Sequence, residues 1–304
     1  MKDLMVNIKN LRKITGAGFL DCKKALEENK NDIDNSIDFL RKKGLAKANK
    51  KFSREANEGA VGIFSNDNFT NILQINTETD FAAKNEVFLN FMEEIGNFSL
   101  NIEDSNLTLE DFDSMIFENI SISDRFKSII SKIGENIILT KLLITEKTKE
   151  SFISQYIHNP YKKNIGKIAV ILKSEVENLN EEAELLGKNL CMHIAASKPL
   201  ALDIEHLDSK LLEKERAVQL ETIKESNKPN NIVEKILNGK MKKFYSESTF
   251  MNQQYIMDSE KTISDIVNNF SKENKFKIIN YYIAVLVNWC IKIKEYFWKY
   301  QENL

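Results

Sequence analysis

At 304 residues, 42% of them hydrophobic, the chain is long enough to bury more than one core. Its formal net charge of -2 excludes a global nucleic-acid footprint and leaves only a local patch for such binding. The three cysteines, Cys22, Cys191 and Cys290, are odd in number and far apart, which argues against a disulfide framework or a zinc site and fits a reducing compartment.

"MKDLMVNIKNLRK" at the N-terminus has no sustained apolar core and no cleavage-type end, so no secretory leader is expected. Residues 1–53 read as three short helices. Leu4, Ile8 and Leu11 form the apolar face of the first, and "TGAG", Thr15 to Gly18, supplies glycines that close it in the left-handed conformation. The second runs from Phe19 to Leu26 with Leu20, Ala25 and Leu26 apolar. Asp32 caps a third, whose Ile33, Ile37 and Leu40 repeat at four and three. So small a unit is expected to be a docking module tethered to something larger. The tether is "RKKGLAKANKKFSR", Arg41 to Arg54, with seven basic residues in fourteen. It reads as a solvated linker, and the lack of an aromatic platform other than Phe52 weakens a nucleic-acid role.

Beyond it the polarity period changes. "AVGIFS" and "FTNILQIN" are short β-rich runs separated by the turn composition "NDN". They lead into a helix at Asp80, where Thr79 or Asp80 is the N-cap and Phe88, Phe91, Met92 and Ile95 form one apolar face. Phe81 falls on roughly the same side, but Lys84 and Asn85 interrupt the stripe between them. Periodicity therefore permits both a core phenylalanine and an exposed anchor. "SFISQYIH" and "GKIAVILK" repeat the pattern before a helix with Ala183, Leu186, Leu190 and Ile194 apolar, which suggests two related α+β halves. "LLEKERAVQLETIKES" and "NNIVEKILNGKMKKFY" are charged helices broken at Pro229, a helical hairpin. "IINYYIAVLVNWCI", Ile278 to Ile291, is too short to cross a bilayer as a helix and reads as a buried strand running into a short helix.

The chain carries neither GxxxxGK[ST] nor GxGxxG. His158, His193 and His206 have no metal-ligand spacing, and His193 lies on the apolar side of its helix, where a satisfied semi-buried histidine is expected rather than a catalytic one. No catalytic residue, metal or cofactor is expected: the pattern is that of a protein acting on another protein.

"LRKITGAGFLDCKKAL", Leu11 to Leu26, resembles the N-terminal signature of bacterial elongation factor Ts, the family of nucleotide exchange factors for elongation factor Tu. "INTETDFAAKNEVF" resembles its second signature, built on Thr79, Asp80 and Phe81. "KIGENI", "MHIAASKP" and "NGKMKKFY" match in order, so the resemblance covers about Leu11 to Asn268. It implies an α+β fold: a three-helix UBA-like N-terminal module (1–53), a core of two similar antiparallel-sheet-plus-helix halves (54–140 and 141–205), a helical-hairpin, coiled-coil appendage (206–245) and a C-terminal segment completing the core (246–304). It implies elongation factor Tu, GDP-bound and nucleotide-free, as partner, with contacts from Lys23, Asp80, Phe81, Ile133, Gly134, His158, Ile256 and Met257, and support of the tip from Thr79 and Ala82. A bacterial cytoplasm is the expected location, with no membrane or nucleic-acid partner; a dimer of heterodimers stays open. The alternatives are a module that binds elongation factor Tu without exchange, and an RNA-associated protein using the basic run. Three departures from the family stand out: Ala82 where valine is usual, Asn76, Thr77 and Glu78 before the triplet, and a divergent tail from about Tyr281.

Overall fold

A computed structural model describes residues 2–49, 51, 53–177, 179–224 and 229–286. The chain divides into two compact units. One holds the chain up to Glu146 together with Ile157–Ala169, and the other holds Lys147–Tyr156 and Val170–Ile283.

The first unit begins with α1 (Lys2–Thr15), α2 (Phe19–Glu28) and α3 (Ile33–Asn49). Ile8 and Leu11 pack on Cys22, Ala25, Leu26 and Leu40, the small core that the three-and-four spacing predicts. Gly16 closes α1 at φ 68°, and the Asp32 carboxylate accepts the Asn35 N–H at 2.8 Å to cap α3. Two expectations are corrected. Leu20 is 77% exposed, so it belongs to the outer face of α2. The basic run from Arg41 is no linker over most of its length, because α3 continues to Asn49. Its Arg, Lys, Ala and Leu are good helix formers, and the helix packs on a later one described below.

Strands β1 (Glu58–Ser65) and β2 (Phe69–Thr77) form the expected hairpin, turned by Asn66, whose side-chain oxygen accepts from the N–H groups of Asn68 and Phe69. Two helices follow where the sequence suggested one: α4 (Asp80–Ala83) and α5 (Glu86–Ser99). Asn85 accepts the Val87 N–H at 2.9 Å and starts α5 afresh, so the interruption of the apolar stripe is a break in the helix. Then come α6 (Leu109–Ser114), the small hairpin β3 (Ile116–Phe117) and β4 (Ile120–Ser121), α7 (Ile122–Ile133) and β5 (Ile137–Glu146). α3 packs on α7, and Phe88, Met92 and Ile95 of α5 meet Leu73, Ile75, Phe126 and Ile130 in the core.

β5 pairs antiparallel with β2, and the register shifts within the ladder: Gln74 faces Lys141, but Ile75 faces Leu139. Thr140 is therefore an extra residue in β5, a bulge, and its hydroxyl donates to the Asn76 side chain at 2.7 Å.

The remaining strands are β6 (Ser151–His158), β7 (Ile165–Gly166) and β8 (Ile168–Glu175). β7 joins β1, giving the four-stranded order β5-β2-β1-β7. The second unit contains α8 (Glu181–Ser197), α9 (Ser209–Lys224), α10 (Asn230–Ser248), β9 (Gln254–Tyr255), β10 (Asp258–Thr262), α11 (Ile263–Asn274) and most of β11 (Lys277–Val285). β11, β8 and β6 form a three-stranded sheet in that order. α9 and α10 share an apolar seam of Ile223, Leu237, Met241 and Phe244, with Pro229 at the N-cap of α10. The run from Ile278 is strand as far as Val285; the short helix expected after it and the aromatic tail lie outside the described residues. Among the described residues no helix is long and apolar enough to cross a membrane.

Candidate functional site

The junction of β2 and α4 carries the most exposed large apolar side chain among the described residues. Phe81 is 83% exposed, whereas Ala82 and Ala83 beside it are buried as α4 packs against β1 and β2. Of the two placements left open by the sequence, core or exposed, the structure selects the exposed one. The short helix faces its alanines inward, and that turn carries Phe81 outward.

Thr79 builds the platform. It is the N-cap, with extended backbone, and its hydroxyl oxygen accepts the Ala82 N–H at 3.3 Å. The same hydroxyl donates to the Glu135 carboxylate at 2.7 Å, and the Thr79 N–H donates to the other oxygen of that carboxylate at 2.9 Å. The Thr77 hydroxyl donates to the Thr79 carbonyl at 2.7 Å. Asp80 opens α4 and accepts from Lys84 Nζ at 2.7 Å. That hydrogen bond holds the Asp80 carboxyl below the usual carboxylate range and Lys84 above the usual ammonium range. Both groups sit at the surface, so the pair orients the turn more than it stabilises the fold.

Ile133 and Gly134 end α7. Ile133 is half-buried against the core, and Gly134 is the C-cap at φ 90°, a left-handed conformation suited to glycine. The chain then turns back through Glu135 and Asn136. The Asn136 N–H donates to Glu78 at 2.6 Å, and its side-chain amide donates to the Arg54 carbonyl at 2.6 Å. Arg54 also pairs with Glu78 at 3.4 Å, while Lys51 Nζ donates to the Gly134 carbonyl. The structure thus brings Thr79, Asp80, Phe81, Ile133 and Gly134 together around one corner of the four-stranded sheet. Asn76, Thr77 and Glu78, just before the tip, all have partners here: the Asn76 amide donates to the Ala56 carbonyl at 3.0 Å, the Thr77 hydroxyl to the Thr79 carbonyl, and Glu78 accepts from Asn136.

The other expected residues lie elsewhere. Lys23 is on the outer face of α2, in a loose 3.7 Å pair with Glu27, and the exposed Leu20 is on the same helix. His158 is exposed at the end of β6, where its carbonyl accepts the Lys167 N–H. Ile256 and Met257, in the second unit, are 47% and 49% exposed at the turn between β9 and β10. His193 holds that turn. It is buried, its Nδ1 accepts the Ile256 N–H at 3.3 Å and its Nε2 donates to the Gln253 oxygen at 2.9 Å, so the ring is neutral with its proton on Nε2. Burial keeps its pKa below the ordinary imidazole value, against the opposing pull of the Gln253 bond. Among the described residues no group of three or more His, Cys, Asp or Glu is arranged to hold a metal ion.

The sequence of this corner has a wide kinship. Residues 78–286 match the model of the family "Elongation factor TS". The chain belongs to the elongation factor Ts family. It is similar to elongation factor Ts of Ehrlichia canis, with 38% identity over 282 residues covering 92% of this chain and 97% of the relative. The protein of Rickettsia bellii is 37% identical over 270 residues, covering 88% and 85%, and that of Allorhizobium ampelinum 35% identical over 268, covering 88% and 86%. The elongation factor Ts match begins at Glu78, at the threshold of the tip, and the relatives extend the similarity over most of the chain. Glu78 and Glu135 lie within "INTETDFAAKNEVF" and "KIGENI", and sequence reasoning assigned them no role. The available signal was an acidic residue next to an N-cap and another next to a C-cap glycine.

Proposed function

We propose that the protein is a guanine nucleotide exchange factor that binds elongation factor Tu, GDP-bound or nucleotide-free, weakens its hold on Mg²⁺ and GDP, and promotes GDP release and GTP reloading during translation elongation. The observation that carries this reading is a bare phenylalanine on a hydrogen-bonded tip, an arrangement with no value to the fold and high value to a partner pocket. Membership of the elongation factor Ts family supports it. Phe81 is the wedge, Asp80 fixes the helix entrance beside it, and Thr79 and Ala82 support the tip. Ile133 and Gly134 flank it on the same corner. Lys23 on the UBA-like N-terminal module, His158, and Ile256 with Met257 supply further contacts, and α9 with α10 forms a coiled-coil hairpin appendage. In this reading the protein works beside its partner in a bacterial cytoplasm.

No catalytic base is needed. Coupling between factor and nucleotide is reciprocal: to the extent that GDP lowers the affinity for the factor, the factor lowers the affinity for GDP. Mg²⁺ demands near-ideal octahedral geometry, so a wedge that displaces one neighbouring element of the partner loosens the ion and the phosphates it bridges. The test is rapid-mixing release of fluorescent GDP from elongation factor Tu with and without this protein. Acceleration at substoichiometric protein is the expected result. Binding without acceleration would reduce the protein to a passive module, and steeply salt-dependent RNA binding without the partner would redirect the assignment to the basic stretch of α3.

A further inference from the structure

Beyond Thr77, which pairs with Ile137, the ladder between β2 and β5 ends, and two side chains continue it. Glu78 accepts the N–H of Asn136 at 2.6 Å, and Glu135 accepts the N–H of Thr79 at 2.9 Å. Each carboxylate takes the backbone N–H of the residue that follows the other. The result is a reciprocal clasp across the two segments, with Glu135 holding the Thr79 hydroxyl as well. Charged acceptors make such bonds roughly twice as strong as neutral ones.

We propose that Glu78 and Glu135 are positioning residues for nucleotide exchange, setting the direction of Phe81 before the partner arrives; this deepens the exchange reading and rests on it. Phe81 is too exposed to be held by its own packing, so its direction comes from the backbone of Thr79 to Ala82. Thr79 is tied at its N–H, its carbonyl and its hydroxyl, and two of those three ties end on Glu135. A wedge fixed beforehand has less freedom to lose on docking, and misplacement of an anchoring group is costly even when no contact is deleted.

The experiment uses the full chain and fluorescent GDP bound to elongation factor Tu. Glu135→Ala, Glu135→Gln and Glu78→Ala are measured alone and combined with Phe81→Ala, at a temperature where each variant remains folded by circular dichroism. Glu135→Ala is expected to slow exchange about tenfold or more, the effect of losing two charge-assisted bonds. Glu135→Gln should recover part of that, since its amide oxygen can still accept the Thr79 N–H. Glu78→Ala should slow exchange in the same direction. In the Phe81→Ala background each loss should shrink to about twofold or less, because a residue that acts through the wedge has nothing left to position. A parental rate for Glu135→Ala and Glu78→Ala overturns the inference. So does an undiminished loss in the Phe81→Ala background, which would mark general damage. A parent protein that accelerates nothing overturns the exchange reading, and the positioning role with it.

Discussion

Phe81→Ala separates function from stability more sharply than any other change. A phenylalanine hides about 200 Å² when fully buried. With 83% of it exposed here, about 165 Å² is available for a partner to cover. At about 25 cal/mol per Å² that area corresponds to about 4 kcal/mol, an upper figure because association has its own costs. Aromatic anchors commonly cost about 2 kcal/mol or more on truncation, which sets a lower figure. Exchange should therefore fall by about 30-fold to about 1000-fold, while the unfolding free energy of the free protein changes by no more than about 0.5 kcal/mol. Stopped-flow release of fluorescent GDP reads the first quantity and urea unfolding the second. A folded variant exchanging at the parental rate would refute the wedge, and a stability loss of several kcal/mol would refute the exposed placement.

Other outcomes follow from the same structure. Gly59 has φ 140° and faces Asn76 across the hairpin, and a Cβ there would meet the Ile75 carbonyl at 2.2 Å; Gly59→Ala should destabilise by about 2 kcal/mol or more in chemical denaturation. A Cβ at Gly134 would meet only Lys51 Nζ, at an ordinary 3.7 Å, so for Gly134→Ala only the left-handed backbone penalty of about 1–2 kcal/mol applies, and a drop several times larger would contradict the cap geometry. Thr79→Val keeps the shape but removes the cap, costing about 1 kcal/mol by the same assay. His193 stays neutral in the fold while the unfolded chain takes up a proton below about pH 6.5. Its contribution is thus complete above that value and lost as pH falls, with a slope of up to about 1.4 kcal/mol per pH unit. His193→Gln should flatten stability against pH just below about 6.5, and an unchanged slope would mean another group titrates there.

Much of this architecture could be read from residue spacing. Ile8 and Leu11, or Ile33, Ile37 and Leu40, announce helices because each packs a single stripe, and Asn66 announces the β1–β2 turn because its side chain can make the turn's hydrogen bonds itself. Between Leu100 and Glu146 less was read. β3 and β4 have two residues each, too short for any period, although Ile122, Phe126, Ile129 and Ile130 of α7 do carry one. The tip was half legible. Its residues stood out by resemblance, but whether Phe81 faced in or out depended on a helix break that one asparagine decides. The clasp was hidden for a different reason: Glu78 and Glu135 are 57 positions apart, and only the pairing of β2 with β5 makes them neighbours.

The bulge at Thr140 has a consequence for how this corner can change. With Thr140 counted in, Thr77 meets Ile137, and the two glutamates fall in step; with one residue fewer, the strand would arrive half a pleat early and turn each side chain to the opposite face. The aim of Phe81 is thus encoded in arithmetic, in how many residues β5 contains rather than in which ones. Substitutions along the strand can accumulate and leave the tip where it is, whereas a single insertion or deletion there would be felt several residues away, at a side chain it never touches.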